Sequence, residues 1–398
     1  MLLLDLTHTS HTTARTGIQR VCRELHRALT QQEAVTSITH DRYQGVWRRL
    51  ASWETANLSA TRAGRSRGSS WPIYRRWSGR IRRSLRVFPA QLPQATRGIV
   101  VPEIFSAHVA RALPTLFSLG RPRVALFHDA IPLRLPEHTP PQTVARFPSY
   151  LQELARFDGI AAVSEDSRAA LVDYWNWVGF IAQPPVVTLP LGTTPRTPAP
   201  ASASRHGTSS FDPAEPVVLC VGSIEGRKNH LVLFEACETL WAQGAQFKLR
   251  VIGMPRPETA RAALTRMQEL QHLGRPLIFD GPVDERTLNE AYAECAFTVY
   301  PSLMEGFGLP VIESLQHGRP CVCSSRGALG ESARSGGCVT VDPQDPKDLA
   351  RAIGLLLHDD SLRQHLTAEA SARRFRTWED YVSELSAWMS TLATSTSR

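Results

Sequence analysis

Hydrophobic positions along the chain fall into short runs separated by longer amphipathic stretches, and the alternation is clearest from residue 216 onward. PVVLCVG (216–222), FKLRVIG (247–253), PLIFDG (276–281), FTVYPS (297–302), PCVCSS (320–325) and CVTVD (338–342) are Val-rich runs bounded largely by Gly or Pro. Unbroken apolar runs of this length are the pattern of strands covered on both faces of a parallel sheet. Between them lie stretches of helical periodicity, at about 229–241, up to 272, near 284–294 and from Leu309 onward. Strand alternating with helix predicts a doubly wound α/β domain.

The first half carries the same theme more loosely. LLLDL (2–6), GIVVPE (98–103), RVALFHD (123–129), GIAAVS (159–164) and VVTLPLG (186–192) read as strands, and GIQRVCRELHRAL (17–29) as an amphipathic helix. Two Rossmann-like domains follow, at 1–192 and 214–398. The join at 193–213, TTPRTPAPASASRHGTSSFDP, is rich in Pro, Ser and Thr without periodicity and reads as a linker. Helices close the chain, the last of them a candidate to pack back on the N-terminal domain, and the terminal TLATSTSR is expected to fray. The opening MLLLDLTHTS lacks a basic n-region and reads as a buried first strand, not a secretory leader.

Length agrees with two domains, since 398 residues exceed what one ordinary core organises. Seven cysteines, an odd number mostly inside apolar runs, read as buried thiols of a reducing compartment. Cys321 and Cys323 share one face of a strand, but no second ligand pair accompanies them, so no metal is expected there.

Charge changes the picture more. The formal net charge is +8. Residues 44–97, however, hold twelve arginines, no lysine and a single acid, Glu54, a net +11 that leaves the rest of the chain at −3. Four of the nine tryptophans (Trp47, Trp53, Trp71 and Trp77) lie in the same segment, which reads as an Arg/Trp-rich insertion. IYRRWSGRIRRSLRVF (73–88) can be drawn as a basic helix with one apolar side, suited to an anionic membrane surface. A basic loop covering part of an acceptor site is the other reading, and nucleic acid is not an expected partner.

The most informative stretch is PSLMEGFGLPVIESLQHGRP (301–320), which leaves a strand and enters a helix. Pro310 falls where a first helical position would suit it. Gly306 and Gly308 let backbone approach a ligand, and amides at a helix N-terminus form a seat for phosphate. Glu305 precedes the helix and can face a sugar; Glu313, a turn inside, points to the nucleotide side, where a carboxylate can accept two ribose hydroxyls. GSIEGRKNH (222–230) follows the first strand of the same domain, and Arg227 and Lys228 there can neutralise two phosphates. Alone, an Arg–Lys pair in a loop is usually solvated surface; here it accompanies an E-x7-E at another strand's carboxyl end, where such folds bind ligands.

Together VGSIEGRKN, GPV and YPSLMEGFGLPVIESLQHGRPCVCSS resemble the retaining GT-B glycosyltransferases of family 4, over nearly the whole C-terminal half. The resemblance implies two Rossmann-like doubly wound domains facing a central cleft, a nucleotide-diphosphate sugar as co-substrate, and no metal or other cofactor. By it, Arg227 and Lys228 bind pyrophosphate, Glu305 the sugar hydroxyls and Glu313 the ribose. The backbone of Phe307, Gly308 and Leu309 holds phosphate beside the Gly222 loop, and the loop at Pro282 and Val283 meets the base. In the N-terminal half LTHTSHTTARTGIQRV (6–21) looks like the family's first glycine loop, with Gly17 at its first glycine and Gln19 in place of its second. LFHDAIPL (126–133) looks like its strand-end H-D motif, with His128 at the sugar, and AVSEDSR (162–168) like a segment where Ser164 starts a helix. A lone His after an apolar strand is as often a satisfied core residue.

Such an enzyme would keep the anomeric configuration. A retaining glycosidase needs two carboxylates about 5 Å apart at the anomeric carbon. Glu305 and Glu313 have other posts, so the leaving diphosphate itself is expected to take the acceptor's proton. The H-D and G-I-Q-R segments resemble those of bacterial polysaccharide mannosyl- or rhamnosyltransferases, which favours a GDP or dTDP donor. The acceptor is then a glycan or polyprenyl-linked glycan and the location cytoplasmic, at the inner face of the membrane if 44–97 binds lipid. A sugar-nucleotide epimerase of the same shape and a non-catalytic basic binding protein are the alternatives. A nicotinamide dehydrogenase is excluded, because GSIEGRKNH is not G-x-G-x-x-G.

Overall fold

A computed structural model describes residues 1–14, 16–60, 70–87, 92, 96–194 and 215–395. The chain divides into two units. The first comprises Met1–Ala130, Arg146–Thr194 and Arg376–Arg398, and the second Ile131–Ala145 and Pro195–Phe375.

Seven strands make the sheet of the first unit: β1 (Leu2–Asp5), β2 (Val35–Asp41), β3 (Val46–Arg49), β4 (Gly98–Val101), β5 (Arg123–Phe127), β6 (Gly159–Ala162) and β7 (Val186–Thr188). Their order is β3-β2-β1-β4-β5-β6-β7, parallel except for the edge strand β3, which runs against β2. The apolar runs become its buried middle: Leu3, Ile99, Val101, Phe127 and Ile160 are inaccessible and pack with Leu113, Leu151 and Trp175 from the helices. The opening MLLLDL is thus a central strand, flanked by β2 and β4. Helix Gly17–Gln32 follows it, capped by the reciprocal Thr16–Gln19 box in which Gln19 Oε1 accepts the Thr16 amide at 3.0 Å. The closing helix Trp378–Ser395 belongs to this unit, with Gln32 Nε2 donating to the Glu379 carbonyl at 3.1 Å. The terminal stretch expected to fray is therefore helical as far as Ser395, and only 396–398 lie outside the described residues.

Six strands make the sheet of the second unit: β8 (Val217–Val221), β9 (Lys248–Ile252), β10 (Leu277–Gly281), β11 (Phe297–Tyr300), β12 (Cys321–Ser324) and β13 (Cys338–Val341). All are parallel, in the order β10-β9-β8-β11-β12-β13. Each sits within a run read from the sequence as a strand. Val218, Leu249, Val251, Phe297, Val299 and Val322 form the core, against Leu233, Phe234, Ile353 and Leu356 of the covering helices. Helix Leu309–Gln316 starts one residue ahead of Pro310, which takes the second helical position. The linker expected at 193–213 lies, beyond Thr194, outside the described residues.

Two strands were not legible as apolar runs. In VTSITHD the alternation is mixed with buried polar residues, so β2 gives no clean period, and β3 lies inside the arginine-rich segment. That segment does not enter as a detached insertion. It begins as a strand of the sheet, continues as helices Ser52–Ser59 and Ile73–Ser84, and buries Trp47 and Trp71. Its single acid anchors it. Glu54 is inaccessible to solvent, accepts Arg48 Nη1 and Nη2 at 2.6 and 2.8 Å, and lies 2.7 Å from His11 Nε2. Burial pushes its carboxyl up, but the hydrogen bonds from His11 and Arg48 and the Arg48 charge outweigh it and hold the group at about 2.

Because the folded Glu54 titrates below its unfolded value near 4.5, its stabilisation is complete above that pH and is lost as pH falls through about 2. Glu54→Gln should therefore cost about 3 kcal/mol at pH 7, because Arg48 loses its two-point partner and keeps only the Asp41 carboxylate, at 2.9 Å. Denaturant melts of both proteins should show the gap narrowing below pH 4; a gap that does not depend on pH refutes the charge pairing.

Candidate functional site

In a doubly wound sheet the loops leaving two neighbouring strands diverge where the winding reverses, and that point takes ligands. In the second unit it lies between β8 and β11, which pair directly. The loop after β8 holds Gly222 to Asn229 and the loop after β11 holds Pro301 to Gly308, so the two motifs distant in sequence emerge side by side. The Leu303 amide donates to the Arg227 carbonyl at 2.8 Å. Asn229 locks the pair: it takes a left-handed φ of 59°, which Asn tolerates, and its amide donates to the carbonyls of Pro301 and Pro343.

Glu305 stands where these loops meet. It is buried, with Oε2 accepting Arg227 Nη1 at 2.8 Å and Oε1 accepting Lys228 Nζ. Arg227 also donates to the Met304 carbonyl at 3.1 Å and pairs with Glu225 at 2.6 Å. Burial pushes the Glu305 carboxyl up, but the Arg227 and Lys228 charges and hydrogen bonds prevail and set it at about 2, so it is ionised throughout the physiological range. Two cations and two carboxylates thus balance locally. A polyphosphate drawn to Arg227 and Lys228 must displace a carboxylate or share its cations.

Glu313 is also buried and lies in the second turn of helix Leu309–Gln316, where it accepts the Tyr292 hydroxyl at 3.3 Å. Tyr292 in turn meets the Tyr300 hydroxyl at 3.1 Å and stacks on His317. The loop Phe307–Leu309 turns into the helix through Gly308 at φ +90°, where an added Cβ would come within 2.7 Å of Leu329. Helix Gly327–Ala333 supports the loop from outside, with Ser332 Oγ donating to the Phe307 carbonyl at 3.1 Å. The first amides of Leu309–Gln316 have no intrahelical acceptor and carry the positive end of its dipole. Val283 follows β10 and is partly buried against the β8 and β9 core. Gly253 was missed by the sequence reading: its Cβ would stand 1.8 Å from the Gly222 carbonyl oxygen, so the loop after β9 can lie against the Gly222 loop only as glycine. Its position directly after a strand was the available signal.

The first unit repeats the arrangement at its own switch point, between β1 and β4. Glu103, beyond β4, accepts the amides of His8 and Thr9 at 2.7 and 2.6 Å and so shapes the loop after β1. Asp5 at the end of β1 is pushed up by burial and by Glu103 beside it. Gly17 is the first residue of helix Gly17–Gln32, and a Cβ there would meet nothing within 4 Å. Gln19, in the place of a second glycine, is used as the helix cap. His128, after β5, is buried with Nε2 2.6 Å from the Pro102 carbonyl. That nitrogen must carry the proton, burial lowers the ring's pKa, and the neutral imidazole keeps Nδ1 as its acceptor. Ser164 caps helix Glu165–Trp177, accepting the Ser167 amide at 3.1 Å. Glu103 and Asp5 were not singled out from sequence, where they look like ordinary strand-end acids.

One further cluster could hold a metal. Cys321 and Cys338 are register partners on β12 and β13, and with Cys323 they place three sulfurs within 4.8 Å of one another. The set is one ligand short of a tetrahedral zinc site and packs among Tyr300, Val311, Leu315 and Leu329, where burial pushes the Cys321 thiol up. Cys338 escapes a reading of C-x-C spacing because only strand order brings it there.

The sequence profile of the family described as Glycosyl transferases group 1 matches residues 205–373. The O-antigen chain mannosyltransferase B of Escherichia coli is 30% identical over 266 residues, which cover 65% of this chain and 67% of that protein. The chain belongs to the group 1 glycosyl transferases. The serotype-specific mannosyltransferase WbdA of Escherichia coli is 25% identical over 368 residues, 88% of this transferase but 42% of WbdA, so the chain spans about two fifths of that relative. Among solved structures, sucrose-phosphate synthase from Thermosynechococcus elongatus superposes with a TM-score of 0.69 at 19% identity over 99% of both chains. HepE from Anabaena, in complex with UDP and glucose, gives 0.63 at 16% identity over 98% of this chain and 99% of that one. Two parallel-sheet α/β units in one transferase chain are the GT-B fold.

Because Glu305 occupies both cations, Glu305→Gln should bind inorganic pyrophosphate more tightly, by about tenfold, as expected when one like charge leaves a desolvated anion site. Isothermal titration of the two proteins measures it; equal or weaker binding in the variant means that the anion does not compete with Glu305.

Proposed function

We propose that the chain is a retaining hexosyltransferase that moves mannose from a nucleoside-diphosphate sugar, GDP-mannose first among the candidates, onto a growing surface glycan. The observation that carries this reading is the convergence of Arg227, Lys228 and Glu305 at the β8–β11 switch point beside a helix N-terminus. It is supported by two mannosyltransferase relatives, one serotype-specific and one of the O-antigen chain, and by the UDP and glucose held by a structural neighbour.

In this reading the diphosphate sits on Arg227, Lys228 and the amides of Phe307 to Leu309, with the base at Val283 near the Gly222 loop. Glu313 accepts the ribose hydroxyls and Glu305 those of the hexose. Bond breaking puts charge on the leaving β-phosphate, which Arg227, Lys228 and the loop amides would stabilise once the diphosphate shares those cations with Glu305. The acceptor hydroxyl attacks C1 on the face the diphosphate leaves, its proton passes to the departing phosphate oxygen, and configuration is kept without a covalent glycosyl-enzyme. His128 with Nδ1 unprotonated serves as a hydroxyl acceptor, not as an acid. Gly17 leaves room at the start of its helix for a ligand. No metal is assigned a role in this scheme.

Calorimetric titration with GDP, UDP, dTDP and ADP in the absence of metal should show micromolar binding of GDP, weakened at least about tenfold in Lys228→Ala. Incubation with GDP-mannose and a mannoside acceptor should give an α-linked product by NMR. A β-linked product overturns retention, and preference for another nucleotide overturns the donor.

A further inference from the structure

Helix Ile73–Ser84 faces the wrong way for a core helix. At 100° per residue, Ile73, Tyr74, Trp77 and Ile81 fall within an arc of about 100°, the width of stripe that amphipathic helices normally bury. Here that arc points to solvent: the four are 70, 61, 62 and 54% exposed, and Leu85 and Val87 beyond the helix end are 68 and 53% exposed. The protein side of the helix is instead Gly79, whose Cβ would lie 2.8 Å from Cβ of Tyr43. The helix is therefore held by its narrow face and presents its apolar face outward, uncovered by any described residue.

Charge says what could cover it. Arg75, Arg76, Arg80, Arg82, Arg83 and Arg86 surround the arc, and no acid lies between Glu54 and Glu103. A protein partner's hydrophobic groove has no need of six cations around it, and a polyanion such as RNA has no use for a contiguous Ile/Tyr/Trp/Leu face. An anionic bilayer uses both, with aromatic rings at the headgroup level and arginines over the phosphates. The patch lies at the carboxyl edge of the first sheet: Gly79 rests on Tyr43 in the turn after β2, and Trp71 just ahead of the helix touches His11 of the loop after β1. We propose that Ile73–Ser84 with Leu85 and Val87 is a peripheral docking surface for an anionic lipid membrane, which turns the edge carrying the β1 loop toward the bilayer. This inference is independent of the transferase chemistry, because vesicle binding is read without nucleotide or acceptor.

The test is co-sedimentation of the full chain with large vesicles of phosphatidylcholine alone or with about 30 mol% phosphatidylglycerol as the anionic lipid. Binding is expected only to the anionic vesicles, falling with added salt. Arg80→Glu with Arg82→Glu should weaken it at least about tenfold, since each arginine near such a surface contributes about fivefold. Trp77→Ser with Ile81→Ser should also weaken it about tenfold while leaving the far-ultraviolet spectrum and GDP titration unchanged. A wild-type chain that stays in the supernatant at low salt overturns the proposal, as it would if another copy of the chain or residues outside those described cover the face. Binding lost only with the arginine substitutions would mark a general polyanion surface and overturns it too.

Discussion

A parallel strand can be reached only through a crossover, and in each sheet here the winding starts in the middle and reverses once. At that reversal, between β1 and β4 in one unit and β8 and β11 in the other, adjacent loops turn apart and leave backbone exposed at the carboxyl edge. Every functional feature of the second unit depends on this placement. It puts Arg227 and Lys228 beside Glu305, which follows some seventy-seven residues later, and sets the N-terminus of Leu309–Gln316 at the same edge.

The electrostatics of the site follow from what that edge can accommodate. A buried carboxylate next to two partly buried cations is stable because each offsets the other's desolvation, and removing one partner strands the rest. The same balance appears in the first unit, where Glu54 gathers Arg48 and His11 and ties the arginine-rich segment to the sheet. In one case the network fastens structure. In the other it holds Arg227 and Lys228 against Glu305 at the carboxyl edge of the second sheet.

The tertiary setting also gives the arginine-rich segment two distinct parts. Up to helix Ser52–Ser59 it is integral to the first unit, through β3, the buried Trp47 and the Glu54 network. Beyond Trp71 it presents aromatic and aliphatic side chains outward among arginines. An apolar face left in water costs free energy that only a partner can recover, whereas the preceding part recovers it within the sheet.

The sequence by itself determined the α/β class, eleven of the strands and the helices that connect those of the second sheet from 229 to 294. Buried parallel strands must be apolar throughout, and helices must alternate, so these features are written locally. The strand-to-helix turn of 301–320 was equally legible, because Gly308 and Pro310 meet local backbone demands. Only the tertiary structure decided what depends on neighbours far along the chain. β2 and β3 are strands because β1 offers an edge, despite their mixed polarity. Cys338 joins Cys321 through strand register, Glu103 shapes a loop ninety-four residues away from it, and Gly253 is required by the Gly222 carbonyl. Whether Ile73–Ser84 buried or exposed its apolar arc was likewise undecidable from periodicity. A helical period says that one face is apolar, and the contacts of the opposite face settle which way it points.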